Sequence, residues 1–165
     1  MDEFNKIPKG KGNLSLLHLN IASLALHFDE LHTLLATSNT NFDIIGITET
    51  GFKKDFTPMH NYDIKGYSYI DCTTESNKGG VRIYISEKFD YKIRSDIKLY
   101  KTKELESVFI EILNKNGKNY IISCIYKHPK MPIDEFNDSY LKPVLEKLTT
   151  ENKNIFILGD LTIST

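Results

Sequence analysis

The chain has 165 residues, the length of one domain, with 40% apolar and 26% charged residues and a formal net charge of −1. These values suit a globular protein and exclude a global positive field that would draw it to nucleic acid. Its two cysteines, Cys72 and Cys124, exclude a disulfide framework and a zinc-spaced ligand cluster, and read as reduced packing residues.

Residues 1–13 are polar and are expected to form a flexible N-terminal segment. They carry no apolar signal-peptide run, and nothing later reaches transmembrane length, so an intracellular protein with no membrane partner is expected. "LSLLHLN" (14–20) reads as a short buried strand. Leu24, Phe28, Leu31, Leu34 and Leu35 then recur at helical spacing, and "FDIIGITE" (42–49) is a second apolar, β-branched run. Strand, helix and strand at this spacing predict a βαβ unit with a parallel pair.

The middle of the chain alternates in period two. "GYSYIDC" (66–72) and "GGVRIYIS" (79–86) read as strands, with Val81, Ile83 and Ile85 on one face. "ESVFIEIL" (106–113) places Val108, Ile110 and Ile112 together and runs through Asn116-Gly117 into "YIISCIY" (120–126), an antiparallel hairpin with a loop longer than two residues. A second helix is predicted over 134–149, with Asp134 as N-cap and Pro143 marking a kink or a fresh start. "NIFIL" (154–158) is the final strand. The fold class is α/β, a mixed sheet in α/β or α+β order.

Lysines cluster at 9–11, 53–54, 98–103, 115–118 and 127–130. Each is by default a solvated face. Together they become a phosphate-binding surface only if the fold gathers them on one side. Three apolar runs end in an oxygen-bearing side chain: Asn20, Glu49 and Asp160. In sheets built from crossover units, ligands sit beyond the carboxyl ends of the strands, and three hard oxygen groups there suit a magnesium-type site. Tyr126 ends a fourth run, "IYKHP", where its hydroxyl can donate to a phosphate oxygen or simply meet solvent.

In this order the segments "LNIASL", "DELHTLL", "FDIIGITET", "GGVRIYI", "LESVFIEI", "IYKHP" and "ILGD" resemble the endonuclease/exonuclease/phosphatase superfamily. More narrowly, they are similar to the endonuclease domain of non-LTR (LINE-type) retrotransposons. The resemblance runs from about Leu14 to Asp160. It implies a four-layer α/β sandwich and divalent-metal-dependent cleavage of phosphodiester bonds. Glu49 matches the metal-binding glutamate, and Asn20 the asparagine that helps hold metal and phosphate. Tyr126 matches the tyrosine on the scissile phosphate, and Asp160 the aspartate that positions or activates the attacking water. Magnesium or manganese is the implied cofactor, with no small-molecule cofactor. The DNA phosphodiester backbone is the implied partner, and a monomer the expected state.

Two departures from the pattern set further expectations. Thr162 stands where the motif has asparagine, and a hydroxyl offers fewer bonds than an amide. The later aspartate and Ser-Asp-His motif are absent, leaving His60 and His128 as the loop histidines that could stand in. Residues 14–165 are therefore expected to be a partial, C-terminally truncated domain with an incomplete second sheet. The last strand is expected at an unprotected edge, the isolated chain to be only marginally stable or prone to aggregate, and activity to be impaired or absent. The alternatives are a non-catalytic scaffold or transposon remnant, and a phosphatase of the same superfamily.

Overall fold

The computed structural model describes residues 14–54, 62–76 and 78–161. Residues 1–13, with the first lysine cluster, and His60 and Thr162 lie outside the described residues. In chain order the elements are β1 (Leu16–Asn20), α1 (Leu24–Thr37), β2 (Ile44–Thr48), β3 (Tyr67–Cys72), β4 (Val81–Ser86), β5 (Tyr91–Ile93), a 3₁₀ turn (Ser95–Ile97), β6 (Leu105–Ile112) and β7 (Tyr120–Lys127). A helical run follows as α2 (Ile133–Glu135), a π-helical stretch (Phe136–Leu141) and α3 (Lys142–Thr149), and then β8 (Asn154–Asp160).

Among the described residues the strands form two four-stranded sheets, ordered β1-β2-β4-β3 and β5-β6-β7-β8. Each has one parallel pair, β1 with β2 and β7 with β8, and antiparallel pairs elsewhere. The expected βαβ unit and β6–β7 hairpin are both present. Alternation in β4 and β6 sends Val81, Ile83 and Ile85 of one sheet against Val108, Ile110 and Ile112 of the other, with Ile122 and Cys124 between. Other buried apolar positions face helices. Leu24 and Leu31 of α1 cover Leu17, Ile45, Ile47 and Tyr84. Phe136 and Leu148 cover Leu105, Phe109, Ile121 and Ile125. The result is helix, sheet, sheet, helix, the four-layer sandwich. Both cysteines are free and buried in the core between or beside the sheets, and burial pushes the Cys124 thiol up.

Several details differ from the sequence reading. Pro132, rather than Asp134, occupies the N-cap, and no side chain caps that helix. The helix over 134–149 is three segments. Pro143 brings no N–H for the carbonyl four residues back, and the Lys142 N–H bonds Asn137 C=O five residues back, the π pattern. Pro143 then sits in the first turn of α3, a fresh start rather than a kink. β8 runs on past Leu158, because its parallel register with β7 continues to Tyr126–Asp160. It borders the second sheet, with Phe156 and Ile157 exposed. Three-residue β5 is too short to show a period. Among the described residues no helix is long and apolar enough to cross a membrane.

An ionic cluster ties β5, β6 and α3 together beneath the second sheet. Glu111 on β6 is fully buried. It takes bonds from Arg94 Nη1 at 2.9 Å, Lys153 Nζ at 2.8 Å and Asn119 Nδ2 at 2.7 Å. Arg94 also reaches Glu151 at 2.6 Å and Asp96 at 2.8 Å. Burial alone would raise the Glu111 carboxyl, but these donors outweigh it and hold it down at about 2. Glu151, bonded by Arg94 and Lys153, also lies at about 2.

Two outcomes are expected. Arg94→Met should lower unfolding free energy by about 3 kcal/mol, because buried carboxylate charge loses its partner; urea melts measure this. Both folded pKa values are depressed, so their stabilising contribution is complete above about pH 5 and lost as pH falls through the ordinary 4.5 towards 2. Melts across that window should show an acid limb that is shallower in Arg94→Met.

Candidate active site

Both parallel pairs end on the same edge of the sandwich, and the four sequence-predicted residues meet there. Asn20 ends β1 and pairs in register with Thr48, so Glu49 emerges one residue beyond β2 on the next strand. Asp160 ends β8 and lies in register with Tyr126 on β7. The two sheets bring these ends together. Asn20 Nδ2 donates to Glu49 Oε1 at 3.0 Å and to Asp160 Oδ2 at 2.8 Å. Asn20 Oδ1 accepts the Ala22 N–H at 3.2 Å, which fixes the amide's orientation. The charge of the Glu49 carboxylate acts on the Tyr126 phenol across this edge. Burial, followed by the charges of Glu49, Glu106 and Asp160, raises the Tyr126 phenol well above its ordinary value, so it is a donor at neutral pH.

The backbone is strained where these groups are delivered. Glu49 adopts φ 56°, a left-handed conformation uncommon for a residue with a side chain. Gly159 has φ 147°, and a Cβ there would lie 2.0 Å from the Ile125 carbonyl oxygen. Only glycine lets β8 close on β7 at this point and present Asp160 beside Tyr126.

Three nearby residues, His18, Glu106 and Thr74, were not identified from sequence as part of the site. His18 lies two residues before Asn20 on β1, half-buried, with Nε2 3.2 Å from Thr48 Oγ1. Burial lowers its pKa, partly offset by Asp160. The period of two along β1 was the available signal. Glu106 and Thr74 flank Tyr126 from the second sheet and the loop after β3; an acid in an apolar run was the signal for Glu106. His128 lies beside the site, its ring 6.5 Å from that of Tyr126, with the Lys130 N–H bonded to its Nδ1 at 3.1 Å.

The lysine clusters are only partly gathered. Lys101, Lys103 and Lys130 line one hollow with His128, Glu104 and Glu135. Lys101 is already paired with both glutamates. Lys127 is buried, and its ammonium bonds the Met131 carbonyl at 3.1 Å.

The sequence profile of the Endonuclease/Exonuclease/phosphatase family matches residues 13–161. The chain belongs to this family. Solved structures of the same fold include the 3′ phosphatase NExo from Neisseria bound to a product DNA hairpin, at TM-score 0.58 and 14% identity over 90% of this chain and 57% of that one. The Xenopus laevis APE2 catalytic domain matches at TM-score 0.56 and 15% identity, over 92% and 59%. D. rerio TDP2, complexed with a single-strand DNA product, matches at TM-score 0.60 and 15% identity, over 92% and 62%. The chain thus spans about three fifths of the length of these structures. No curated protein matches it in sequence.

Nucleases of this family generally use divalent metals. Among the described residues no group of three or more His, Cys, Asp or Glu side chains could hold a metal ion by themselves. Magnesium needs less from a protein: one or two carboxylates, with water and substrate phosphate completing its shell. Glu49, Asp160 and the second lone pair of Asn20 Oδ1 are hard oxygen donors on one edge, and they fit such an ion.

Gly159→Ala should lower stability by more than about 2 kcal/mol, because the backbone of β7 cannot yield to the added carbon. Thermal melts of the two proteins measure it. An unchanged midpoint would contradict this account of how Asp160 is placed.

Proposed function

We propose that the chain is a divalent-metal-dependent phosphodiesterase module acting on DNA, of the retrotransposon endonuclease type. The observation that carries this reading is the Asn20 amide bonded to both Glu49 and Asp160, on the edge where Tyr126 lies in register with Asp160. Glu49 and Asn20 would hold magnesium or manganese, which when bound neutralises phosphate charge and stabilises the leaving oxygen. Tyr126, kept protonated, donates to a non-bridging phosphate oxygen. Asp160 accepts a proton from, and orients, the attacking water. Asn20 holds both carboxylates in register before substrate arrives. The segments "LNIASL", "FDIIGITET" and "YKHP" support the retrotransposon branch, and the DNA products held by NExo and TDP2 support a nucleic-acid substrate.

A second reading, binding of nucleic acid without cleavage, draws on Thr162, which stands where the family motif has asparagine. A supercoiled-plasmid nicking assay separates the two. Under the first reading nicking requires magnesium and stops with chelator. Glu49→Ala should raise the magnesium requirement and lower the rate, and Asp160→Asn should cost at least about 10²-fold. Background-level nicking by the native chain, equal to that of Glu49→Ala, would leave the binding reading.

A further inference from the structure

Glu106 is the buried acid that this chemistry leaves unused. It stands on β6 opposite Tyr126 in the β6–β7 register and is 1% exposed. Its Oε1 accepts a 2.7 Å bond from Thr74 Oγ1. Its Oε2 is inaccessible and has no hydrogen-bond partner among the described residues. Gly79 closes the arrangement. A Cβ built there would meet Glu106 Oε2 at 2.9 Å, Thr74 Oγ1 at 3.1 Å and Tyr126 Cε1 at 3.2 Å. Three groups from three segments therefore crowd one point of bare backbone. Cε1 adjoins the ring carbon that bears the hydroxyl, so this wall reaches the working end of the phenol.

We propose that Glu106, anchored by Thr74 and covered by Gly79, is a positioning residue that fixes the ring and hydroxyl of Tyr126 at the edge where Asn20, Glu49 and Asp160 meet. It acts through Tyr126 and touches neither phosphate nor cation. Its effect on rate rests on the phosphodiesterase reading; its effect on Tyr126 does not. Burial raises the Glu106 carboxyl, and the Thr74 hydroxyl and the nearby Gly80 backbone offset this only in part, which favours the neutral acid. Neutrality suits the place. Glu49 and Asp160 already put two negative charges around Tyr126, and a third would oppose a phosphate. On adjoining elements the charge of Glu106 acts on the Cys72 thiol, which Lys98 also influences, and on the Tyr126 phenol.

The test compares the full chain with Glu106→Gln, Glu106→Ala and Thr74→Val. Ring-¹³C tyrosine spectra are recorded, the Tyr126 signal being identified by its loss in Tyr126→Phe, and magnesium-dependent nicking is followed in parallel. Glutamine keeps the shape of the acid and an oxygen to accept the Thr74 bond, so its Tyr126 signal and rate should stay near native. Alanine should shift or broaden that signal and lower kcat about tenfold or more, with KM for plasmid unchanged. Thr74→Val keeps the side-chain volume and should move the Tyr126 signal in the same direction, which decides the matter if the alanine variant does not fold. An undisturbed Tyr126 signal in alanine or valine overturns the proposal, as does glutamine impaired as badly as alanine. A native chain that does not nick removes the phosphodiesterase reading alone, and the spectra still decide the role of Glu106.

Discussion

The Asn20 amide sits between two carboxylates, at 3.0 Å from Glu49 and 2.8 Å from Asp160. Nothing local brings these groups together, since Asn20 and Asp160 are 140 residues apart. The bond exists because two sheets pack face to face with both parallel pairs ending on one edge. The apolar faces of β4, β6 and β7 enforce that stacking, and the register of β7 with β8 sets the depth at which Asp160 emerges. An amide is well suited to the position. It holds two like charges near each other without neutralising them, so a cation still has reason to bind.

β6 shows how partners decide the state of an acid. Glu106 and Glu111 are five residues apart on one strand, about 17 Å, and both are buried. Glu111 faces the helix layer, where Arg94, Lys153 and Lys92 hold it ionised. Glu106 faces between the sheets, takes one bond from the Thr74 hydroxyl, and is pushed towards its neutral form. Odd and even positions of the same strand thus serve different ends: one fastens the second sheet to its helix, the other lies against the site.

Much of this was legible in the sequence where a period is long enough to read. Val81, Ile83 and Ile85, and Val108, Ile110 and Ile112, declared the inner faces of the sandwich, and strand-terminal Asn20, Glu49, Tyr126 and Asp160 declared the edge. Other features depend on contacts that no local pattern encodes. Asp134 has the right chemistry for an N-cap, yet the chain enters that helix from Pro132. The final strand reads as 154–158 because its apolar run stops at Leu158, whereas Gly159 continues it by letting β7 approach. His18 and Glu106 looked like residues of a strand interior. Their nearness to Asp160 and Tyr126 follows from sheet pairing and stacking, which alternation alone does not specify.

Gly159 and Asp160 are adjacent, yet they answer to different demands. Loss of the glycine strikes the architecture, since its backbone sits where a carbon would meet the Ile125 carbonyl. Loss of the acid leaves the architecture standing. A lineage released from any chemical duty would therefore keep the first and let the second drift. It would also relax position 49, where a left-handed backbone is held by a glutamate that glycine or asparagine would relieve. Among descendants of one such gene, Gly159 would bear witness only to folding. The joint survival of Asn20, Glu49 and Asp160 would mark the copies still under selection to act.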